Sequence, residues 1–278
     1  MSPSEVAARW LAGLALAFVT SAAHAQAPLR VYAAGSLRAV MLELGAAFEA
    51  AGGVKVDYVF GPSGVLRERI EGGEPADVFA SADMGHPRRL ADAGRSYRVV
   101  PFAQNRLCAL ASPKIEVATT TLLDRMLDPA VKLGMSTPLA DPSGDYAVQL
   151  FEKAELLRAG ARGALMQKGR RLVGGPDSPP PPKDRNVYAA LVDSGEADIF
   201  LTYCTNALQA HKENPELRVV RVPDALAVSA QYGLTVTKGA RLHAAQFAEF
   251  VLSRRGQDII ARHGFTPLYP AGNDALIQ

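Results

Sequence analysis

From Leu29 onward the chain alternates apolar runs with helix-spaced stretches, and pairs of glycines mark several of the joints. "LRVYAA" (29–34) reads as a strand. Leu37, Val40, Met41, Leu44 and Phe48 then recur at helical spacing until Gly52-Gly53. "VKVDYVF" is a second strand, Val65, Leu66 and Ile70 mark a short helix that stops at Gly72-Gly73, and "ADVFASA" is a third strand. A short helix, "HPRRLADAG", and a long extended run, "YRVVPFAQNRLCALASP", follow. Parallel neighbours need a crossover, and this order supplies helices as crossovers, so the expected class is α/β with a mostly parallel sheet.

The second half repeats the logic. Helices are expected in "TTTLLDRMLD", "GDYAVQLFEKAELL" and "NVYAALVDSG", and strands in "VKLGMST", "RLVGG" and "ADIFLTYC". Two extended runs, "LRVVRVP" and "AQYGLTVTKG", precede one or two closing helices in "AAQFAEFVLSRRGQDIIARHG". "GEPADVFASAD" (73–83) echoes "GEADIFLTYC" (195–204): a helix ends at Gly, then Glu, Ala-Asp and an apolar strand. Four consecutive prolines in "GGPDSPPPPKD" (174–184) exclude helix and central strand there, and read as a stiff polyproline spacer loop.

Bulk properties narrow the function. With 48% hydrophobic and 21% charged residues, the 278-residue chain can build two lobes or one large domain. Thirty Lys and Arg against 28 Asp and Glu give a net charge of +2, which offers no argument for nucleic acid. At the N-terminus one Arg, the apolar run "LAGLALAFV" and the small-x-small site Ala23-His24-Ala25 read as a secretory leader over residues 1–25. That apolar run is shorter than the ~20 residues a membrane span needs. Cys108 and Cys204 either pair, as an oxidising compartment allows, or sit as two small buried hydrophobes; the sequence leaves both open. The five histidines are scattered, without metal-ligand spacing.

Three serines carry the chemistry. Ser36 in "AAGSL", Ser63 in "FGPSG" and Ser143 in "DPSGD" each stand between a strand and a helix, next to glycine. Open α/β sheets bind ligands at such junctions. The first N–H groups of a helix lack internal partners, and the helix dipole favours an anion there. Plain N-capping is the competing reading for each serine. "KDRNV" opens a further helix with Asp184 or Asn186 as cap, and Tyr203 ends the strand that follows. No phosphate loop, dinucleotide fingerprint or nucleophile elbow is present, and no acid/base carboxylate pair is evident.

In "VYAAGSLRAVM", "FGPSGVLRERIEGGEPADVFASAD", "DPSGDYA", "GEADIFLTY" and "ARHGF" the chain resembles the periplasmic molybdate-binding proteins of ABC importers, within the type II solute-binding class. The resemblance spans essentially the whole mature chain. It implies two α/β lobes joined by two crossover strands, 26–103 with 230–278 as lobe 1 and 104–229 as lobe 2. It further implies a tetrahedral oxyanion, molybdate or tungstate, held between the lobes by neutral donors. Ser36 and Ser63 would give hydroxyl and backbone donors, Ser143 and Arg185 main-chain N–H groups, and Tyr203 its phenol. No cofactor or catalysis is implied, and the expected partners are the small ligand, a permease and its ATPase, with the binding protein itself a monomer. Asp145 and Arg185 depart from a site without charged side chains, and Asp145 and Asn186 are candidate modifiers of ligand choice. Sulfate, phosphate, an organic anion or a metal ion on the same fold, and a secreted enzyme, are the alternatives.

Overall fold

A computed structural model of the chain describes residues 27–268. The expected leader, residues 1–25, lies outside the described residues. Among the described residues no helix is long and apolar enough to cross a membrane.

The first lobe opens with β1 (Leu29–Ala34), a 3-10 turn at Gly35–Leu37 and α1 (Arg38–Ala50), then β2 (Val56–Gly61), α2 (Ser63–Glu71), β3 (Val78–Ser81) and α3 (Gly85–Asp92). Strand β1 pairs in parallel with both β2 and β3. The long β4 (Val100–Ala111) carries the chain across. Next come α4 (Leu122–Leu127), β5 (Leu133–Ser136), α5 (Pro142–Leu157), α6 (Ala161–Lys168), β6 (Arg170–Val173), α7 (Val187–Asp193), β7 (Ile199–Tyr203), α8 (Cys204–Glu213) and β8 (Arg218–Arg221). Here β5 pairs in parallel with β6 and β7. The chain returns through β9 (Ser229–Val236), then α9 (His243–Leu252), α10 (Arg254–Arg262) and the short β10 (Thr266–Pro267).

The strand order is β2-β1-β3-β9-β4-β7-β5-β6, with β8 and β10 also on β4. The sheet is therefore mixed. Each lobe holds a parallel set of three, and antiparallel β9 and β4 join the sets. Strand β4 pairs with β9 up to Arg106 and with β7 from Leu107, so it belongs to both lobes.

The burial of the strands follows from this arrangement. Strands β3, β5 and β7 are buried at every position, as expected for strands covered on both faces. Alternate residues go to opposite faces. Phe79 joins Tyr32, Leu66 and Leu90, while Val78 and Ala80 join the main core. Phe200 likewise joins Tyr188 and Leu110, while Ile199 and Leu201 join the main core.

The internal echo has a structural counterpart. Asp77 Oδ2 accepts from Arg30 N, and Asp77 N donates to Arg30 O. Asp198 Oδ2 accepts from Lys132 N, and Asp198 N donates to Lys132 O. In both lobes the Asp of "Ala-Asp" thus pins the start of the neighbouring parallel strand. Ala82, just past β3, and Tyr203, the last residue of β7, each lie five residues beyond that Asp, at equivalent strand ends. A disulfide joins Cys108 on β4 to Cys204, the first residue of α8, so the paired alternative holds.

Two helices were not expected from the sequence. The segment read as the link between α5 and β6 contains α6, and the strand read through Cys204 turns directly into α8.

Candidate functional site

The serines sit at the junctions, but the plain capping reading fails for all three. Neither the 3-10 turn at Gly35–Leu37 nor α2 has a side-chain cap hydrogen bond. In α5 the cap is Asp141, whose carboxylate accepts from Ser143 N at 3.1 Å. The hydroxyls are therefore free for other partners.

Those partners orient them. Ser63 is fully buried, and its Oγ accepts from Ala82 N at 3.1 Å. Ser36 Oγ lies 3.1 Å from the Tyr232 hydroxyl. Arg106 N donates to Asn105 Oδ1, which fixes the amide so that Asn105 Nδ2 donates to Thr205 Oγ1 at 2.8 Å and to Tyr232 Oη at 3.4 Å. Tyr232 Oη accepts from Asn105, and in its contact with Ser36 either hydroxyl can be the donor. Ser63 accepts from Ala82 N and so keeps its own proton to give away, and Ser36 keeps its own when Tyr232 is the donor between them. The Ser143 hydroxyl is buried without any hydrogen-bond partner among the described residues. A buried orphan hydroxyl costs about 1–3 kcal/mol, which a ligand accepting from it would remove.

Tyr203 meets this group from the second lobe. It is buried, and its hydroxyl donates to Ala82 O at 3.2 Å. Its ring packs on Tyr232 at 5.4 Å and on Tyr146 at 6.2 Å. Burial pushes the phenols of Tyr203, Tyr232 and Tyr146 well above their usual range, so all three stay protonated and able to donate. Ala82 thus receives Tyr203 on its carbonyl and gives its N–H to Ser63. It is the point where β3, α2 and β7 converge.

The lobes also touch beside this point. Gly64 N donates to Ala140 O at 2.9 Å. A Cβ at Gly64 would lie 2.4 Å from Leu139 O and 2.9 Å from Ala140 O, so only glycine allows the approach. Leu139 holds φ 69°, a left-handed conformation unusual for a leucine, with its N–H on Asp145 Oδ1 at 2.9 Å. Gly144 is required for the same reason: its Cβ would meet Ser136 O at 2.5 Å.

The charged candidates fall elsewhere. Arg185 is exposed, and its guanidinium is held by Asp193 at 2.5 Å and Glu213 at 3.0 Å. Asn186 caps α7 by accepting from Tyr188 N and Ala189 N, so its side chain is committed to the helix. Asp145 lines an interlobe cavity with Asp83, His86 and Tyr146. Ser143 differs from the expectation in the group it offers: its N–H is taken by Asp141, and its hydroxyl is the free atom. Among the described residues no lysine or arginine is buried. Burial raises the Asp141 carboxyl to about 6, against the hydrogen bond from Ser143 N. No cluster of three or more His, Cys, Asp or Glu suited to a metal ion occurs among the described residues.

The sequence did not single out Ala82, Tyr232 or Asn105. For Ala82 a signal existed: it occupies the position in "FASAD" that Tyr203 occupies in "FLTYC". Tyr232 and Asn105 carried none, because their partners lie on the far side of the chain.

Comparison with known proteins agrees with this architecture. An uncharacterized protein of Pasteurella multocida (strain Pm70), PM1146, is 38% identical over 207 residues, covering 74% of this chain and 86% of the relative. The molybdate-binding protein ModA of Escherichia coli (strain K12) is 25% identical over 277 residues, covering 94% and 99%. Among solved structures, the sulfate-binding protein SubI of Mycobacterium tuberculosis H37Rv aligns with a TM-score of 0.71 at 18% identity, over 88% of each chain, which shows the shared fold. A family model described as bacterial extracellular solute-binding protein matches residues 29–266, and the chain belongs to that family.

Proposed function

We propose that this protein captures a tetrahedral oxyanion, molybdate or tungstate, between its lobes in the periplasm and delivers it to an ABC permease and its ATPase. The observation that carries the reading is the proton bookkeeping around Ser36 and Ser63. Ser63 accepts from Ala82 N and keeps its own proton for an acceptor in the cleft, and Ser36 does the same when Tyr232 is the donor of their shared bond. Ser143 adds a free hydroxyl from the second lobe, and the protonated Tyr203 phenol would turn its one proton from Ala82 O to the anion. An anion accepts only, so these hydroxyls match it, and the absence of buried lysine or arginine among the described residues suits a ligand that brings its own charge. The E. coli relative is a molybdate-binding protein, which favours that ion over sulfate.

The lobes are taken as 26–103 with 230–278, and 104–229. Binding then follows hinge closure: the first lobe's serines engage the anion, and the Leu139-Ala140 loop docks on Gly64 as the second lobe arrives. Arg185 enters this mechanism through its main-chain N–H alone: its guanidinium sits in exposed ion pairs, and Ser143 and Tyr203 supply the second lobe's side-chain donors.

Titration calorimetry with molybdate, tungstate, sulfate and phosphate tests the reading on wild type, Ser36→Ala and Ser63→Ala. Each lost charge-assisted bond is worth about 1.5–3 kcal/mol, so each variant should bind roughly 10–100-fold more weakly while keeping its fold. Wild-type affinity in both variants would remove these serines from the site. A wild type that binds none of the four ions would remove the function.

A further inference from the structure

The oxyanion reading leaves one feature without a role. A cavity of about 200 Å³ lies between α3 of the first lobe and α5 of the second, lined by Asp83, His86, Arg89, Asp145, Tyr146 and Gln149 among others. It adjoins the donor group at three places. Asp83 follows Ala82 directly, the lining Pro142 precedes Ser143, and the Tyr146 ring packs on Tyr203 at 6.2 Å.

Its polar groups are only partly used. His86 is 5% exposed, and its Nδ1 has no hydrogen-bond partner among the described residues. Asp83 uses Oδ1 to accept from Ser81 Oγ at 2.7 Å and from His86 N at 3.2 Å. Asp145 uses Oδ1 to accept from Leu139 N. The second oxygen of each carboxylate takes no hydrogen bond from the described residues. Two lining carboxylates face the guanidinium of the exposed Arg89, and Arg67, already paired with Glu68 and Glu71, acts on His86 from beside the cavity. Burial first, opposed by Asp83 and Asp145 and assisted by Arg67 and Arg89, holds the His86 imidazole below its usual value and therefore neutral at pH 7.

A bare dianion has no use for these groups, and the carboxylates oppose it. They suit a positive, hydrogen-bond-donating group attached to the anion. A resident metal ion is disfavoured, because among the described residues no three such side chains group closely enough to hold one.

We infer that the cavity is a second compartment of the ligand site, built for the cationic amine arm of an organic oxyanion such as an aminoalkyl phosphonate or phosphate monoester. This rests on the oxyanion site proposed above and widens its ligand class. The anionic head occupies the serine and tyrosine donors. The ammonium lies between Asp83 and Asp145, with His86 Nδ1 and Gln149 beside it. Because the two carboxylates come from different lobes, the amine also bridges the closure.

The test is calorimetry with methylphosphonate, 2-aminoethylphosphonate and molybdate on the full chain. The expected result is that the amine strengthens phosphonate binding at least about tenfold, as charge-assisted bonds to carboxylates would. In Asp145→Asn that ratio should fall to near one, with thermal melting confirming the fold. A wild-type ratio near one overturns the inference whatever any variant does. A ratio that survives Asp145→Asn and also Asp83→Asn overturns the assignment to this cavity. Molybdate reports separately. Tight molybdate with no amine preference leaves the oxyanion function standing and sinks the second compartment. An amine preference without molybdate binding supports the compartment and removes the inorganic ligand. Binding of none of the three sinks both.

Discussion

Gly64→Ala separates closure from folding. Gly64 is the second residue of α2, and its φ is not positive, so a helix accepts alanine there. Considered within its own helix, the change is favourable by up to about 1 kcal/mol. Across the lobes it is not. The added Cβ would lie 2.4 Å from Leu139 O, about 1 Å inside ordinary contact, and 2.9 Å from Ala140 O. Both obstacles are backbone atoms, so the 139–140 loop has to retreat as a unit. Its retreat breaks the Gly64 N–H to Ala140 O bond, worth about 0.5–1.5 kcal/mol net. It also withdraws the second lobe's proposed ligand donors, the Ser143 hydroxyl and the Tyr203 phenol. At about 1.5–3 kcal/mol for each bond to a charged ligand, losing both weakens binding by roughly a hundredfold or more. Calorimetry with molybdate gives the affinity, small-angle scattering gives the compaction on binding, and thermal melting without ligand reports the fold. The expected variant melts no lower than wild type without ligand, binds weakly and stays extended. Wild-type affinity with wild-type compaction would show that the Leu139-Ala140 contact is not the closing surface.

Three further outcomes follow from single features. Cys108→Ser with Cys204→Ser opens a link spanning 96 residues, and chain entropy predicts a loss of about 4–5 kcal/mol, read by denaturant unfolding; an unchanged midpoint would contradict it. Tyr203→Phe removes the proton that bonds Ala82 O without ligand and is proposed to turn to the anion, so molybdate affinity should fall about tenfold or more with only a modest drop in melting temperature. Asp141 has its carboxyl raised to about 6, so the folded chain binds this proton more tightly than the unfolded chain. Its contribution to stability is full in acid and is lost as pH rises through about 6. Asp141→Asn keeps a competent N-cap and removes the buried charge, so it should melt higher than wild type at about pH 8, with the gain shrinking toward about pH 4. A gain that is constant with pH would assign the effect to something other than this titration.

What the sequence revealed and what it concealed divide along range of interaction. The βαβ order was legible because strands buried on both faces must be apolar throughout, and the crossovers between them must be helices. The echo around Asp77 and Asp198 was legible because the same local task, pinning the start of a parallel strand, recurs in both lobes. Helix α8 was hidden because "ADIFLTYC" stays apolar through the residue at which the strand becomes a helix. Helix α6 was hidden because it buries only Ala161 and Leu165, too few to set a period.

The serines show the same division within one residue. Their positions were local and readable. Their roles depend on what they bond far away: Ser63 accepts from Ala82, 19 residues on, and Ser36 shares a hydrogen bond with Tyr232, 196 residues on. A serine at a helix start has one hydroxyl for two tasks, capping or ligand donation. A neighbouring cap can release it for the second, as Asp141 does for Ser143. Donation toward the cleft is then set by a third group that fills the lone pair. Ala82 N–H is that group for Ser63, and the Asn105–Tyr232 pair is the proposed one for Ser36. Their effect is directional, so replacing Tyr232 by Phe should reorient Ser36 rather than remove it. Anion affinity should then fall while the serine remains in place, and an unchanged affinity would show that Ser36 needs no such orientation.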